Sequence, residues 1–172
     1  MTHKEFKNLV NQDKILIGID STVAREFFRI QKQILKHEIG EEMNLQRILI
    51  TFLMISAFFS FLLPIFFSIV TFKFYAILFT PLVLFVSILL WFRAPLGRSR
   101  INPVLIVLLL IWWFLHDYSL SLQLLVITIP LPYILQKSMY KLGSTFIRAL
   151  IYRNGRALEF LTQRRAVNFK LK

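Results

Sequence analysis

Residues 48–92 read ILITFLMISAFFSFLLPIFFSIVTFKFYAILFTPLVLFVSILLWF, and Lys73 is the only side chain among them that is charged near neutral pH. A helix of about 20 residues crosses a hydrocarbon core of about 30 Å, so this stretch can cross it twice. A water-soluble fold of 172 residues cannot bury so much apolar surface. The sequence therefore predicts an antiparallel hairpin of two membrane spans, 48–70 and 74–92.

A second pair of apolar segments follows, INPVLIVLLLIWWFL at 101–115 and SLSLQLLVITIPLPYILQ at 119–136. Both are close to the shortest length that spans a bilayer, so they form either a second spanning hairpin or a shallow re-entrant pair. We favour full spanning. The predicted fold is an all-α integral membrane protein with four transmembrane helices in two hairpins and amphipathic cytoplasmic helices at both ends.

This fold divides the chain into three parts. Residues 1–46 form a cytoplasmic N-terminal helical segment, residues 47–136 form the four-span membrane region, and residues 137–172 form a basic, amphipathic, cytoplasmic C-terminal segment. The third segment is expected to include a helix that ends at Asn154 and Gly155, because glycine readily adopts the left-handed conformation that ends helices.

The basic residues predict the orientation of these spans. The net charge is +12. Lys and Arg number eight in residues 1–47, one in 71–73, three in 93–100, none in 116–118 and nine in 137–172. Because cytoplasmic segments of membrane proteins are rich in Lys and Arg, both termini and the loop with Arg93, Arg98 and Arg100 are placed in the cytoplasm. We favour a bacterial inner membrane over the endoplasmic reticulum.

The same positive charge indicates the binding partners. Anionic lipid headgroups are the nearest partner for a basic membrane protein, and nucleic acid is the less favoured one. We interpret Arg93, Arg98 and Arg100 first as a topology signal, which marks the cytoplasmic side of the membrane. We expect the segment 137–152 to lie on an anionic membrane surface. Its basic face carries Lys137, Lys141 and Arg148.

The residues 21–43 are predicted to form an amphipathic helix that binds a partner protein. Asp20 or Ser21 can cap its N-terminus. The apolar stripe at helical spacing is the expected partner-binding face, and its residues are Val23, Phe27, Ile30 and Ile34.

No motif for catalysis, for a cofactor or for a metal ion is found in the sequence. Cysteine is absent, which excludes disulfides and thiolate metal sites. His116 and Asp117 are adjacent in a short turn, without a nucleophile in a suitable pattern, and are interpreted as a polar loop. Gln123 is the candidate for a polar contact inside the membrane region. We expect no enzymatic activity and no cofactor.

Three functions fit this description. The favoured one is a non-enzymatic membrane subunit or scaffold of a multiprotein complex, such as a secretion or conjugation machine, that docks partners through cytoplasmic helices. The first alternative is a homo-oligomeric pore or channel. The second is a hairpin protein that shapes the membrane. The sequence does not identify the partner, the oligomeric state or any transported substrate.

Overall fold

The computed structural model describes residues 3–12, 14–19, 26–30, 32–94, 103–115, 119–164 and 167–171, and most of them are helical. The chain divides into two units. The terminal unit contains residues 1–51 and 139–172, so it draws on both ends of the chain, and the central unit contains residues 52–138.

Helices and two short strands follow one another along the chain. The first third contains α1 (His3–Asn11), β1 (Ile15–Ile19), α2 (Lys32–Ile39) and α3 (Asn44–Phe59). The middle contains α4 (Leu62–Phe72), α5 (Ala76–Phe92), α6 (Pro103–Phe114) and α7 (Leu120–Thr128). The last part contains α8 (Leu131–Arg153), α9 (Gly155–Gln163) and β2 (Val167–Leu171).

Two helical stretches, Asn44–Phe92 and Leu120–Arg153, are long and apolar enough to cross a membrane. Leu105–Phe114 is apolar but shorter. The predicted spans 48–70 and 74–92 both fall within the first stretch, which confirms the apolar helical character of this region.

Prolines explain why these stretches are segmented. Proline lacks the N–H that would bond to the carbonyl four residues earlier. Pro64 therefore leaves the Ser60 carbonyl without its usual helical partner, and the chain turns between α3 and α4, where Leu63 N donates to Ser60 O at 3.3 Å. In the same way, α7 ends at Thr128, four residues before Pro132.

A tight turn joins α4 to α5 within the central unit. A 3₁₀ turn at Lys73–Tyr75 separates the two helices, and Lys73 has a φ of 48°, a left-handed value that reverses the chain direction. Helix α4 also packs against α7, and α7 packs against α6. The hairpin predicted around Lys73 is thus present, with its turn shifted two residues toward the C-terminus.

The terminal unit contains an antiparallel two-stranded sheet, so the prediction of an all-α fold was wrong in this detail. Strand β1 pairs with β2 in a register that places Ile15 opposite Leu171 and Ile19 opposite Val167. The two strands come from opposite ends of the chain. Their pairing therefore ties the N-terminal and C-terminal segments into one unit.

Apolar side chains from both chain ends form the core of the terminal unit. Phe6 of α1 is fully buried and its ring meets that of Phe169 at 5.6 Å, edge to face. The other residues with almost no exposed surface include Phe27, Phe28, Leu35, Ile39, Ile147, Leu150, Ile151, Ala157 and Leu161.

The predicted continuous helix over 21–43 was wrong in its extent. Residues 26–27 are helical, residues 28–30 form a turn, and regular helix is present again in α2, from Lys32 to Ile39. The turn places both Phe27 and Phe28 in the core, with the Phe28 ring 6.2 Å from that of Phe146.

The segment 137–152 belongs to α8 and does not form a separate surface helix. Ile147, Leu150 and Ile151 on its apolar face are buried inside the terminal unit. The apolar stripe therefore covers the protein's own core, and contact of the basic face of this segment with an anionic membrane surface stays a prediction. The predicted helix end at Asn154 and Gly155 is confirmed, since α8 ends at Arg153.

Candidate lipid-facing and partner-facing surfaces

Small and hydroxyl-bearing side chains line the inside of the α4–α5 hairpin. Ser68 and Ser87 have no exposed surface. Ser68 Oγ and Thr80 Oγ1 lie 2.9 Å apart across the hairpin, and Ser87 Oγ donates to Val83 O at 3.0 Å. Small residues let two helices approach closely, and the hydroxyls of both buried serines have a hydrogen-bond partner.

The outside of the same hairpin is covered with large apolar side chains. Ile77 is 89 % exposed, and Leu82 and Phe85 are each 58 % exposed. In a protein surrounded by water the distribution is normally the reverse, with large apolar residues inside and serine outside. The other exposed apolar residues of α4 and α5 include Leu62, Phe66, Ile69, Val70, Leu78, Leu89 and Phe92.

Two apolar cavities open on the central unit. One has a volume of about 340 Å³ and is lined by Phe58, Phe59, Phe61, Leu62, Leu84, Ile88 and Trp91. The other, of about 200 Å³, lies between α6 and the chain around Pro130, and it includes Trp112. Their linings are almost wholly hydrocarbon, which suits acyl chains or apolar side chains and offers no group for acid–base chemistry.

A polar cluster around Asn154 joins three segments of the terminal unit. The Asn154 Oδ1 accepts from the backbone N–H groups of Arg156 and Ala157, and so caps α9. Its Nδ2 donates to Ile39 O at 2.9 Å and to Glu41 Oε1 at 3.3 Å. Arg153 donates to the other Glu41 oxygen at 2.6 Å. One side chain therefore fixes α9 and also the end of α2.

We expect Asn154→Ala to lower the free energy of unfolding of the terminal unit by about 1–2 kcal/mol, since it removes a helix cap and two further hydrogen bonds. Thermal unfolding of the purified protein in neutral detergent measures this. Asn154→Ser is the matched variant, because its hydroxyl oxygen can still cap α9 while the amide donor to Ile39 and Glu41 is lost. It should fall between the wild type and the alanine variant. Equal stability of all three proteins would contradict the role of Asn154 in holding α9 and the end of α2.

Glu42 forms a second charged cluster, at the end of α2. Its carboxylate lies 2.7 Å from Lys32 Nζ and 3.1 Å from Lys36 Nζ. Hydrogen bonds from Lys32, then Lys36, then Asn44 lower the pKa of Glu42 from 4.5 to about 2. The carboxylate is thus held in its ionised form by two cations one turn apart.

This pKa predicts how the stability of the terminal unit changes in acid. Because the pKa of Glu42 is lower in the folded state, its contribution is complete above pH 4.5 and is lost as the pH falls to about 2. Glu42→Gln should lower the thermal midpoint at pH 7 by a small amount that shrinks with added salt. The difference in thermal midpoint between Glu42→Gln and the wild type should vanish as the pH falls to about 2. Glu38→Gln, on α2, removes a carboxylate that lies 3.5 Å from His37 Nδ1 rather than beside two lysines, and it serves as the control for a lost carboxylate.

The basic residues predicted to contact lipid headgroups or mark topology have varied surroundings. Arg93 is exposed at the end of α5, beside a cavity of about 290 Å³ that includes Val86 and Leu89. Lys137 Nζ donates to Tyr133 Oη at 3.1 Å, Lys141 is exposed, and Arg148 donates to Ile17 O at 3.3 Å. Arg98 and Arg100 lie outside the described residues. Their role at the lipid surface stays a prediction.

The predicted partner-binding residues are not all on the surface. Phe27 is buried in the core, Ile30 is half-buried, Ile34 is 41 % exposed, and Val23 lies outside the described residues. Among the described members of this stripe, Ile34 therefore presents the most apolar surface for contact. Gln123, predicted to make a polar contact, is half-buried on α7. His116 and Asp117 lie outside the described residues.

The residues that hold the terminal unit together are not evident from the sequence pattern. Asn154 is recognisable there only as part of a helix stop, and neither strand is predicted. The signals are present but weak. Ile15, Ile17 and Ile19 alternate along β1, as do Val167, Phe169 and Leu171 along β2, which is the period of a strand.

Comparison with protein family models, with curated protein sequences and with solved structures found no match to this chain. In the described part of the chain, no group of three or more His, Cys, Asp or Glu residues is placed to hold a metal ion.

Proposed function

We propose that this chain is a non-enzymatic integral membrane subunit or scaffold of a multiprotein membrane complex. In this proposal, four helices in two hairpins span the bilayer, both termini are cytoplasmic, and the terminal unit docks partner proteins. The membrane of a bacterial cell is the favoured location.

The distribution of side chains in the central unit carries the proposal. Ser68 and Ser87 are buried and bonded inside the hairpin, whereas Ile77, Leu82 and Phe85 point outward. A soluble monomer rarely exposes a contiguous apolar patch of more than a few hundred Å². In a bilayer, exposing these apolar side chains has no such cost, because acyl chains are as apolar as leucine. The helices are then held together by the close packing of small residues and by hydrogen bonds.

The charge pattern supports the cytoplasmic placement of the terminal unit. The loop between the two proposed hairpins carries Arg93, Arg98 and Arg100, while the turn at 116–118 carries no Lys or Arg. Positive charge on alternate loops is the pattern of a multi-pass protein with cytoplasmic ends. The terminal unit has its own buried core, and we infer that it is a folded docking module at the membrane surface.

Gentle detergent extraction of a tagged copy at native expression, followed by mass determination, tests the docking function. We expect stoichiometric foreign chains to co-purify. Ile34→Asp should reduce their recovery, whereas Glu38→Gln, a change on the same helix, should not. Recovery of a uniform homo-oligomer without foreign chains would favour the pore function over the proposed docking function. Recovery of a bare monomer would contradict the docking function.

A further inference from the structure

Lys137 and Tyr133 form a hydrogen-bonded pair on α8, within the central unit. Lys137 Nζ donates to Tyr133 Oη at 3.1 Å and lies 5.4 Å from the centre of the Tyr133 ring. Tyr133 is only 4 % exposed, and Lys137 is half-buried. The stem of a lysine is flexible, but two contacts with one buried ring hold this ammonium group in a defined position.

The pair has hydrogen-bond donors without an acceptor in the described part of the chain. An ammonium group only donates, so Tyr133 Oη accepts from Lys137 and its own O–H hydrogen points elsewhere. This hydroxyl forms no second hydrogen bond, and Lys137 no ion pair, with any described residue. A buried donor without an acceptor is costly, so the pair is suited to an anion that presents two oxygens.

An apolar groove lies on the same side of the chain, just before Lys137. Its volume is about 200 Å³, and its lining includes Trp112 of α6, Ile127 of α7, and Pro130 and Ile134. Ile134 and Pro130 precede Lys137 by three and by seven residues, which is the spacing of one helix face. At 1.5 Å per residue, Pro130 lies about 10 Å from Lys137 along the helix axis. Ile127 and Ile134 are exposed, so the groove is open from outside.

The size and lining of this groove suit a hydrocarbon chain. A cavity of about 150 Å³ with an apolar lining holds a benzene ring, so a groove of about 200 Å³ accepts part of an acyl chain. A molecule that fills the groove and also reaches Lys137 therefore needs an apolar chain that ends in an anionic group. A phospholipid has this construction.

The charge of the central unit favours an anionic headgroup over a zwitterionic one. Its described charged residues are all basic, namely Lys73, Arg93 and Lys137. A phosphodiester offers one oxygen to the ammonium group and one to the Tyr133 hydroxyl. A zwitterionic headgroup would add a second cation beside Lys137, where no described residue of this unit supplies a carboxylate, and like charges disfavour binding.

We propose that Lys137 and Tyr133 bind the phosphate of one anionic phospholipid, and that one of its acyl chains lies in the groove beside Trp112. A general attraction of basic residues to a membrane surface requires neither the buried hydroxyl nor the groove, so this is a site for a single bound lipid. The inference rests on the proposed membrane location of the central unit.

The probe is phosphatidylglycerol with brominated acyl chains, because bromine quenches tryptophan fluorescence at short range. It is titrated into the full chain in neutral detergent, with Trp91→Phe and Trp113→Phe present so that Trp112 is the only tryptophan. Phosphatidylcholine with the same brominated chains is the reference lipid. We expect half-maximal quenching at a concentration at least about fivefold lower for phosphatidylglycerol, since its headgroup brings no cation to Lys137.

Variants of the pair locate the headgroup. Lys137→Gln should bring the ratio of the two half-maximal concentrations to about one, because the charge that distinguishes the lipids is lost. Tyr133→Phe keeps the ring and removes the O–H donor, and it should lower the ratio about two- to threefold. Lys137→Arg keeps the charge and should preserve the preference. Lys73→Gln, in the α4–α5 turn, removes one positive charge from the same unit and should leave the ratio within about twofold of the wild-type value.

Equal quenching by the two brominated lipids would overturn the inference, and so would an unchanged preference in both Lys137→Gln and Tyr133→Phe. Displacement of phosphatidylglycerol by inorganic phosphate, beyond the effect of chloride at the same ionic strength, would assign the pair to a free anion instead of a lipid. The assay needs neither a bilayer nor a partner protein. A chain that stays in carbonate-washed membranes but shows no lipid preference would contradict the lipid site alone, whereas release from those membranes would contradict the proposed location.

Discussion

The double variant Leu82→Lys/Phe85→Lys is expected to lose stable membrane insertion. Both side chains are 58 % exposed on α5, one helical turn apart. Placing lysine near the centre of a spanning helix costs about 2.5–3.5 kcal/mol per residue, so the pair costs about 6 kcal/mol. In a water-soluble protein the same two changes would be almost neutral, because they replace exposed apolar side chains by polar ones. The fraction that resists alkaline carbonate extraction measures the difference.

A matched control lies at the end of the same hairpin. Phe74 is 89 % exposed and adjoins Lys73 in the turn. Because the cost of a charge falls toward the membrane interface, where lysine also reaches water, Phe74→Lys should insert like the wild type. Normal insertion of Leu82→Lys/Phe85→Lys would contradict the placement of α5 in lipid.

The variant Phe6→Ala is expected to unfold most of the terminal unit. Phe6 of α1 is fully buried, and its ring touches that of Phe169 on β2. Replacing a buried phenylalanine by alanine costs about 3–5 kcal/mol, a large part of the roughly 5–15 kcal/mol that stabilises a typical domain. Hydrogen exchange should therefore accelerate in both strands together, since each strand is held by the other.

Ile34→Ala is the control for this variant, since Ile34 is 41 % exposed and loses little burial. Its free energy of unfolding should lie within about 1 kcal/mol of the wild-type value. If Phe6→Ala left exchange unchanged in 15–19 and 167–171, the pairing of the two chain ends would be wrong.

The apolar pattern predicted where the long helical stretches lie. Residues 48–70 and 74–92 make up most of the Asn44–Phe92 stretch, because length and apolarity are direct properties of the sequence. The interruption at Ser60 depends on Pro64, a residue visible in the sequence. Whether the helix is interrupted there, however, depends on how neighbouring groups bond to the freed carbonyl of Ser60.

The pairing of β1 with β2 was not predictable from local pattern. Ile15 and Leu171, which face each other, are at opposite ends of the chain. Each strand has only five residues, which is too short for the alternation to stand out from a helical pattern. A contact between such distant segments is determined by tertiary packing rather than by local propensity.

The amphipathic faces were recognised, but what covers them was not. Phe27 and Ile147 lie on stripes predicted to contact a partner protein and a membrane, respectively, and both are buried in the terminal unit. Helical periodicity shows that a face needs an apolar neighbour, and it carries no information about whether that neighbour is lipid, another protein or the chain itself. The buried Ser68 and Ser87 show the opposite case, in which small residues mark a helix contact.

Alkaline carbonate washing of membranes from cells that express the tagged wild-type chain, followed by flotation through a density gradient, tests the proposed membrane location most directly. We expect the protein to stay in the washed membranes and to float with the lipid, because the large exposed side chains of α4 and α5 are as apolar as acyl chains. Release of the intact, folded protein into the aqueous supernatant would show that another protein surface covers this hairpin, and it would contradict the membrane assignment.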